Sequence, residues 1–285
     1  GQVRQRLKRG KLPDNNKLQI ADFSTLYTSF EHQVILGNIT AVITRMFRNS
    51  GHKYISVGNK AYYHSSETRK GTRLTEHEVI ELVDFMISNS FVKFAGTIFH
   101  QISGIPMGAN YSPVLADLCL SHMEFVYLTN NPTAGKRLRF TFRYIDDILS
   151  LGSDSLREYA KDIYPGSLPL SFDDTSDGTG HYLDLGIDRN SKKISLYDKR
   201  KDFSFNVIRF TDAKSNVPRR NSLNVLYSQT IRLAKICTCP MEFKINLKDL
   251  INTMSARGFD IIEIQRTLKK VRERYPALFA KHKIN

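Results

Sequence analysis

The sequence predicts an α+β protein, with antiparallel strands and helices over about the first 200 residues and a helical bundle after them. Short apolar or alternating segments bounded by turn residues predict the strands. Longer segments with apolar residues at helical spacing separate them, and from about Asn221 onward this helical pattern dominates. A chain of 285 residues with 41% hydrophobic content can bury a large core, and its length suggests roughly two domains.

The first hundred residues alternate strands with helices. "KLQIADF" predicts a short buried strand, and "SFEHQVILGNITAVITRMF" predicts a largely apolar helix. "KYISVGNKAYYHS" predicts a hairpin. "FVKFAGTIFHQ" predicts a second hairpin with Ala95-Gly96 at its tip.

Two helices in this part have start signals. Thr75 and Glu78 fit a capping box, and the residues after them place one apolar face on a helix. "SGIPMGANYSPVLADLCLSHMEFVYL" begins as a glycine-rich loop and continues as a helix. We expect Ser112 to cap that helix and Pro113 to lie in its first turn.

The second half begins with strands and ends with helices. "RLRFTFRYIDDILSLGS" predicts a strand, a turn and a strand, and "DSLREYAKDIY" predicts a short amphipathic helix. The further predicted strands are "PLSF", "HYLDLGI", "KISLYD" and "FSFNVIRF". The predicted bundle helices are "NVLYSQTIRLAKI", "NLKDLINTMSA" and "DIIEIQRTLKKVRERY".

The charge of the chain points to a polyanionic partner. The 42 Lys and Arg residues outnumber the 28 Asp and Glu residues, which gives a net charge of +14. Such a balance is typical of proteins that bind nucleic acid. Any one basic run is more typical of a solvated surface, but four of them favour contact with phosphates. The runs are "VRQRLKRGK", "KRLRFTFR", "RNSKKISLYDKRK" and "RTLKKVRERYPALFAKHK".

Cysteine content and hydropathy exclude several classes of protein. Cys119, Cys237 and Cys239 are too few for a disulfide framework, and "CTCP" lacks the nearby Cys or His of a zinc site. Reduced thiols in an intracellular protein are the simplest expectation. No apolar run is long enough to span a membrane, so we expect no membrane partner.

Two adjacent carboxylates, Asp146 and Asp147, interrupt the predicted strand pair. Such a pair repels itself unless water screens it or a cation binds. Asp173-Asp174 serves as an internal control, because that pair continues into "TSDG", which is ordinary loop chemistry. Asp146-Asp147 is followed at once by the apolar "ILSLG", which indicates a tight turn between core strands and favours a site over a loop.

Asp22 supplies a third carboxylate for the same site. It ends the strand "LQIAD" and would lie beside the Asp146 turn if the two strands are neighbours in one sheet. Three converging carboxylates form an oxygen-ligand site for two hard divalent cations, an arrangement suited to phosphoryl transfer. The expected cofactor is a pair of Mg²⁺ ions, with Mn²⁺ as a substitute.

The order of these segments resembles that of reverse transcriptases. "ADFSTLY" is similar to the first palm motif of that family, and "GIPMGANYSP" is similar to the second. "YIDD" matches the Tyr-x-Asp-Asp turn, and "HYLDLGI" resembles the hairpin that grips the primer. Alone the Tyr-x-Asp-Asp match is weak, but it becomes specific in this order and context.

Within the family the chain is most similar to Penelope-like retroelement enzymes, and more distantly to the telomerase catalytic subunit. The similarity rests on "FHQISGIPMGANYSPVLADLCL" and "SNVPRRNSLNVLYSQTIRLAKIC" and extends from about Ile20 to Phe279. It implies a right-hand polymerase palm, built as an antiparallel sheet with packed helices, and a C-terminal helical thumb. The implied layout is a basic segment at 1–19, a palm at 20–200 with an insertion at about 50–100, and a thumb at 201–285.

The resemblance implies an RNA-directed DNA polymerase that extends a primer 3′-hydroxyl with dNTPs on an RNA template. Asp22 and Asp146 would be the main metal ligands, with Asp147 beside them and the carbonyl of Phe23 completing one shell. Tyr27, five residues after Asp22, matches the position whose bulk excludes a ribose 2′-hydroxyl. Without that match, a core aromatic at a helix start would be the favoured interpretation of Tyr27.

The same resemblance assigns nucleotide and nucleic-acid contacts. The loop with Gly104, Pro106, Met107 and Gly108 would lie against the nascent base pair, where small residues allow close approach. Tyr144 would pack beside primer or template, with a core strand aromatic as an equal alternative. Backbone contacts are expected from Arg143, Arg219, Arg220, Arg232 and Lys235, although each of the thumb cations individually is more typical of surface charge.

The chain departs from the family before Asp22, where only 21 residues stand in place of the fingers. The fingers are therefore expected to be largely missing: the chain could be a fragment, the fingers could come from a second polypeptide, or "VRQRLKRGK" could be their remnant. No clear Lys lies near "PLSFDDTSD", where the family commonly has one. An alternative function is a catalytically silent, RNA-binding structural subunit of a ribonucleoprotein. A nuclear location is favoured over an organelle.

Overall fold

Helices and antiparallel strands alternate along the chain in a computed structural model, which describes residues 2–9, 12, 17–66, 71–151, 155–173, 175, 177–205 and 207–282. The chain divides into two compact units, and the division falls inside the first strand. Ala21–Asp173 is called the sheet unit here. Gly1–Ile20 together with Asp174–Asn285 is called the bundle unit.

The elements up to the centre of the chain are α1 (Gln2–Arg9), β1 (Leu18–Phe23), α2 (Leu26–Ser29), α3 (His32–Ser50), β2 (Tyr54–Val57), β3 (Ala61–His64), β4 (Thr72–Leu74), α4 (Glu76–Ser88), β5 (Phe91–Phe94), β6 (Thr97–His100), α5 (Ser112–Asn130) and α6 (Pro132–Arg137). The elements that follow are β7 (Thr141–Tyr144), β8 (Asp147–Leu151), α7 (Ser155–Ile163), β9 (Leu170–Phe172), β10 (Thr179–Tyr182), β11 (Leu185–Asp188), β12 (Lys193–Leu196), a 3₁₀ helix (Lys199–Asp202), α8 (Arg219–Ile236), α9 (Pro240–Ala256), α10 (Ile261–Arg274) and α11 (Pro276–Ala280). None of the described helices is both long enough and apolar enough to cross a membrane.

A four-stranded sheet in the order β7-β8-β1-β9 organises the sheet unit. β7 and β8 form a hairpin, and the last three residues of β1 pair antiparallel with β9. The sheet's apolar side chains, such as Phe23 and Ile148, join one core with the helices. The β5–β6 hairpin turns at Ala95 and Gly96, both with positive φ, as a type I′ turn requires.

The core of the sheet unit is centred on α3 and α5. On α3, four residues spaced four apart form one buried stripe: Ile35, Ile39, Ile43 and Phe47. They pack into the same core as Leu115, Ala116, Cys119 and Leu120 of α5. Each such large side chain contributes roughly 1.5–3 kcal/mol by leaving water, so this helix pair is a firm support for the sheet.

The bundle unit has its own core, formed by α8 to α11 and the small sheet β10-β11-β12. Leu226, Phe243, Met254 and Val271 are fully buried in it. The basic N-terminal segment forms a helix over Gln2–Arg9, and its Leu7 side chain is fully buried. The end of the "VRQRLKRGK" run, at 10–11, lies outside the described residues.

Most predicted elements are confirmed, but the strand predicted at "FSFNVIRF" and the cap predicted at Ser112 are wrong. "FSFNVIRF" forms no strand over its described residues 203–205 and 207–210, where Phe205 and Ile208 are exposed and only Phe210 is buried. Ser112 is the first residue of α5 rather than its cap, and Tyr111 precedes it. The capping box of Thr75 and Glu78 is confirmed, with hydrogen bonds in both directions.

Candidate active site

The turn between β7 and β8 consists of Ile145 and Asp146. Tyr144 pairs directly with Asp147 across the hairpin, so Asp147 is the first residue of β8 rather than part of the turn as predicted. Ile145 has a φ of 55°, whereas Asp146 is not among the residues with positive φ. This is the pattern of a type II′ turn, whose first position normally requires glycine. A β-branched residue there is strained by about 1–3 kcal/mol.

The Arg143 guanidinium holds this strained turn in place. Its Nη1 donates to the carbonyl of Ile145 at 3.1 Å and to Asp117 Oδ1 at 2.8 Å. Its Nε donates to Glu124 Oε1 at 2.5 Å, and its Nη2 donates to Ser121 Oγ at 2.8 Å. Three residues of α5 and one turn carbonyl therefore fix the guanidinium at the base of the turn.

This position changes the interpretation of Arg143, which we predicted to contact nucleic acid. Its side chain is only 8% exposed and its donors face protein acceptors. Burial alone would lower its pKa, but hydrogen bonds and charge from Glu124 and Asp117 outweigh burial and raise the pKa above the ordinary value. The guanidinium is thus a permanent internal cation that positions the turn, and it has no open donor face for a phosphate.

Asp22 lies on the strand beside this turn. The N–H of Phe23 donates to the carbonyl of Asp146 at 3.3 Å, which joins β1 to the turn directly. On its other side Asp22 pairs with Ser171 of β9, whose hydroxyl donates to the carbonyl of Asp22 at 3.3 Å. The predicted adjacency of Asp22 and the Asp146 turn is therefore present, and the Asp22 side chain is exposed.

The three carboxylates do not form a ready-made metal cluster. Over the described ranges, no group of three His, Cys, Asp or Glu side chains could hold a metal ion. The backbone adjacency of Asp22, Asp146 and Asp147 is nevertheless fixed by hydrogen bonds. Their side chains offer only oxygen ligands, which hard divalent cations such as Mg²⁺ prefer. The role of the Phe23 carbonyl stays a prediction.

The loop from Gly104 to Gly108 packs against the start of the first helical segment. The N–H of Ile105 donates to the carbonyl of Tyr27 at 2.6 Å, and the N–H of Gly104 donates to the carbonyl of Phe30 at 2.7 Å. His32 Nε2 lies 3.0 Å from the carbonyl of Gly104 and donates to it. The loop is thus attached to the residues that follow Asp22.

Gly104 is required for this attachment. Its φ is +85°, and a Cβ atom would lie 2.5 Å from the carbonyl oxygen of Tyr27. Gly108 also has a positive φ, of +98°, but a Cβ atom there would meet nothing within 4 Å. The close approach that we predicted for these glycines is therefore made by Gly104 to the protein's own backbone, while Gly108 faces open space.

Tyr27 is both a core contact and a neighbour of the aspartates. Its ring is partly buried against the main core of the sheet unit. Burial, and secondly the charge of Asp146, raise the pKa of the Tyr27 hydroxyl. The hydroxyl therefore stays protonated and lies close enough to Asp146 to feel its charge, so the two interpretations of Tyr27 are compatible.

The rest of the glycine-rich loop is open to solvent at Met107, which is 75% exposed. The carbonyl of Pro106 accepts a hydrogen bond of 2.5 Å from the Ser112 hydroxyl. Ser112 thus fixes the loop onto the start of α5 through its side chain, although it is not the helix cap. Met107 is exposed and lies in a loop anchored at Gly104 and Pro106, so it is available for contact with a ligand.

Tyr144 extends from the edge of the hairpin and is 59% exposed. The alternative that it is a core aromatic is therefore excluded.

The control pair Asp173-Asp174 behaves differently from Asp146-Asp147, because β9 ends at Phe172 before the exposed Asp173. Asp174 lies outside the described residues.

The predicted cations of the bundle unit differ in their surroundings. Arg219 makes an ion pair with Glu263, and Arg232 makes one with Asp184. Arg220 and Lys235 are exposed on α8. These four residues belong to one helix, and whether they contact nucleic acid stays a prediction.

Sequence reasoning missed the residues that hold the site together. Asp117 and Glu124 are seven residues apart and so lie on one face of α5, two helical turns from each other. That spacing was the available signal for a buried cation such as Arg143. His32 and Ser171 gave no comparable signal.

No protein-family model and no curated protein matches the chain. Among solved structures, a telomerase from Candida albicans, in complex with a TWJ fragment of telomeric RNA, matches with a TM-score of 0.50 at 14% identity. The match covers 98% of this chain and 43% of the telomerase chain. The apo telomerase from Candida tropicalis matches with a TM-score of 0.47 at 14% identity, covering 100% of this chain and 46% of that one.

These comparisons concern the fold. The chain is a mixture of helices and antiparallel sheet similar to the Candida albicans telomerase structure. It spans less than half the length of the telomerase chains it matches. At 14% identity the similarity extends to no residue's role.

Proposed function

We propose that this chain is the palm and thumb part of an RNA-directed DNA polymerase. The observation that carries the proposal is the joining of Asp22 to the Ile145–Asp146 turn through the Phe23 N–H. That contact places the backbone of Asp22 beside the Asp146 turn and the start of β8 at Asp147, in a fold similar to that of a telomerase structure. The sheet unit corresponds to the palm, and the helices of the bundle unit correspond to the thumb.

The donor set has the oxygen chemistry that hard divalent cations prefer. Asp22 and Asp146 would be the main ligands, with Asp147 and the Phe23 carbonyl beside them. When bound, two Mg²⁺ ions supply the charge that activates a primer 3′-hydroxyl and neutralises the triphosphate, and Mn²⁺ can substitute. The protein's own contribution is positional: Arg143 and the Phe23 N–H keep the turn and β1 in register.

Nucleotide selection is assigned to Tyr27 and the Gly104–Gly108 loop. The Ile105 N–H donates to the Tyr27 carbonyl, which ties the loop to the residue whose hydroxyl senses the charge of Asp146. Its bulk would reject a ribose 2′-hydroxyl, and Met107 would lie along the nascent base pair. Tyr144 would pack on the primer or template, and Arg220 and Lys235 would contact its backbone.

The finer assignments are part of the same proposal. We place the chain in the Penelope-like branch, with a nuclear location and an RNA template paired with a DNA primer.

Primer extension on an RNA template with dNTPs and Mg²⁺ tests the proposal. We expect the complete assembly to extend the primer, Asp146→Asn to abolish extension, and Asp173→Asn to leave it unchanged as a matched control. Equal extension by wild type and Asp146→Asn would refute the catalytic assignment.

A second function is favoured by one observation, the lack of a three-acid cluster among the described side chains. In that case the chain is a catalytically silent, RNA-binding subunit of a ribonucleoprotein. It would then bind template-primer with Mg²⁺ present but extend nothing, and Asp146→Asn would bind equally well.

A further inference from the structure

The β5–β6 hairpin of the sheet unit is apolar and exposed on both of its faces. Every residue of its two strands is exposed. In the part of the chain that the structure describes, the hairpin forms a sheet of two strands with no third strand beside it. A two-stranded hairpin without a covered face is marginally stable in water, so this one needs a partner surface. Its large apolar residues, each more than half exposed, are Phe91, Val92, Phe94, Ile98 and Phe99.

Helix α4 adds further exposed apolar residues next to the hairpin. Leu82 and Phe85 are one helical turn apart, and both are exposed. His100 Nε2 donates to the carbonyl of Ser88 at 2.6 Å, which ties the hairpin to the end of α4. The rings of His100 and Phe91 lie together, with centroids 5.0 Å apart. The exposed apolar residues of α4 and of the hairpin are called the hairpin surface here.

The hairpin surface is large for a part of a protein that faces water. Phe85, Phe91, Phe94 and Phe99 are each at least half exposed. A phenylalanine side chain offers on the order of 200 Å², so these four rings alone leave roughly 400 Å² in water. Exposed apolar patches of several hundred Å² mark sites of interaction.

The charges beside these apolar residues divide by element. The hairpin strands carry Lys93 and no carboxylate, and Lys93 pairs with Ile98 across the hairpin, so both lie on one face. Neither Lys93 nor Asp84 makes an ion pair with a described residue, and Asp84 accepts a hydrogen bond from the Ser88 hydroxyl at 2.8 Å. Helix α4 has no Lys or Arg, and its carboxylates are Glu76, Glu78, Glu81 and Asp84.

We propose that a second copy of this chain covers the hairpin surface in a symmetric dimer. The hairpin of each copy lies against α4 of the other, so its apolar side chains pack on Leu82 and Phe85. A two-fold axis makes each contact twice. It brings Lys93 of each copy to Asp84 of the partner subunit. This interface is separate from the proposed polymerase function and does not depend on it.

The charges favour a second copy over other occupants. A nucleic acid would place its phosphates beside Glu81 and Asp84, which repel them. A partner of one charge sign would match either α4 or the hairpin, but not both. A second copy presents an acidic helix and a basic hairpin together, and a two-fold axis matches each to its opposite.

Analytical ultracentrifugation of the nuclease-treated full chain tests the interface. Salt at about 0.15 M screens the long-range repulsion between two chains that each carry a net charge of +14. We expect a monomer–dimer equilibrium that Phe85→Glu and Ile98→Glu each abolish. Val126→Glu, at an exposed apolar position toward the other end of α5, should leave it unchanged. Urea unfolding checks that each variant keeps its fold.

A charge exchange tests the two-fold arrangement. Asp84→Lys and Lys93→Asp should each weaken the dimer roughly tenfold, because like charges then meet twice across the axis. The double variant should regain the wild-type affinity. An equimolar mixture of the two single variants should form a heterodimer more tightly than either variant alone, since one chain supplies both cations and the other both carboxylates.

Four results would overturn the proposal. The first is a monomer at every concentration up to about 100 μM, well above the affinity of a specific dimer. The second is a dimer that forms only before nuclease treatment, which would assign the association to bound RNA. The third is an unchanged dimer of folded Phe85→Glu and Ile98→Glu chains. The fourth is a failure of both the double variant and the mixture to recover the affinity lost in the single variants.

Discussion

Two turns in this protein share an unusual backbone at the residue scale. Ile145 and Leu183 both have a φ of 55°, each lies between a Tyr and an Asp, and each opens a two-residue hairpin turn. In the second turn Asp184 is ion-paired with Arg232. In the first turn the arginine instead holds the backbone, from Arg143 to the Ile145 carbonyl. The two turns therefore share the same strained backbone but differ at their carboxylates. Asp184 is neutralised by Arg232, whereas Asp146 lies beside the strand that carries Asp22.

The two glycines of the 104–108 loop give a matched prediction. We expect Gly104→Ala to lower the free energy of unfolding by at least about 3 kcal/mol, because it adds a clash with the Tyr27 carbonyl to the strain of a positive φ. Gly108→Ala, with open space around its Cβ, should cost only about 1–2 kcal/mol. Urea denaturation measures both, and equal losses would show that Gly104 does not contact Tyr27.

The Arg143 network gives a second prediction. Arg143→Ala should lower the free energy of unfolding by about 2–4 kcal/mol, since it leaves Glu124 and Asp117 without their cation. The lower end of this range applies because Asp117 is half exposed, so water can solvate its carboxylate when Arg143 is removed. Arg139→Ala, which removes an exposed arginine near the same hairpin, should cost less than about 1 kcal/mol. A similar small loss for both would contradict the positioning role.

At the scale of elements, His282 fixes the end of the chain onto the helical bundle. Its ring is fully buried, stacks on Phe243 at 4.2 Å and bonds through Nε2 to the carbonyl of Ala234 at 3.0 Å. Burial, with the nearby charges of Lys281 and Arg4, lowers the pKa of His282 below its ordinary value despite that hydrogen bond. The histidine is therefore neutral in the folded protein at pH 7.

The buried, neutral His282 predicts that the stability of the protein depends on pH. Below an unfolded pKa of about 6.5 the unfolded chain binds more protons at His282 than the folded chain, so stability falls as pH falls through the folded pKa. We expect thermal unfolding to show a loss between pH 7.5 and 5.5 that His282→Phe reduces. The phenylalanine can keep the stacking on Phe243 without a titrating group, so an unchanged pH profile in that variant would assign the loss to other groups.

Elements with strong local patterns were predictable from the sequence. The α3 helix, the Thr75 capping box and the strand that carries Asp22 follow from local patterns, and all three are present, although that strand ends at Phe23 rather than at Asp22. The strand predicted at "FSFNVIRF" is wrong: over its described residues no strand pairs with it, and pairing depends on the tertiary structure. Strand formation depends on partners more than helix formation does.

The sequence predicted the aspartates of the site but not the buried side chains that position them. We predicted that Asp22 would lie beside the Asp146 turn if the two strands are neighbours in one sheet, and β8 and β1 are neighbours. We assigned Arg143 to nucleic acid, since nothing local shows that Asp117 and Glu124 of a distant helix surround it. The pairing of Arg143 with α5 depends on how the helix packs against the hairpin. The seven-residue spacing of Asp117 and Glu124 is only a weak signal for it.

At the scale of the whole molecule, the net charge of +14 is the main feature relevant to a partner. If the partner is a nucleic-acid duplex, binding releases counterions and the affinity falls steeply with salt. We expect the affinity for an RNA–DNA hybrid to fall by at least roughly a hundredfold between 50 and 200 mM salt. Asp146→Asn should show the same slope, and a salt-independent affinity would contradict a phosphate contact surface.

The central claim is that Asp22 and Asp146 act together as ligands of divalent cations. The most direct test is electron paramagnetic resonance of Mn²⁺, titrated into the full chain with a chain-terminated primer on RNA and a matching dNTP. The account predicts that Asp22→Asn and Asp146→Asn each lose bound Mn²⁺ relative to wild type, while Asp173→Asn retains it. Equal Mn²⁺ binding by all four proteins would contradict it.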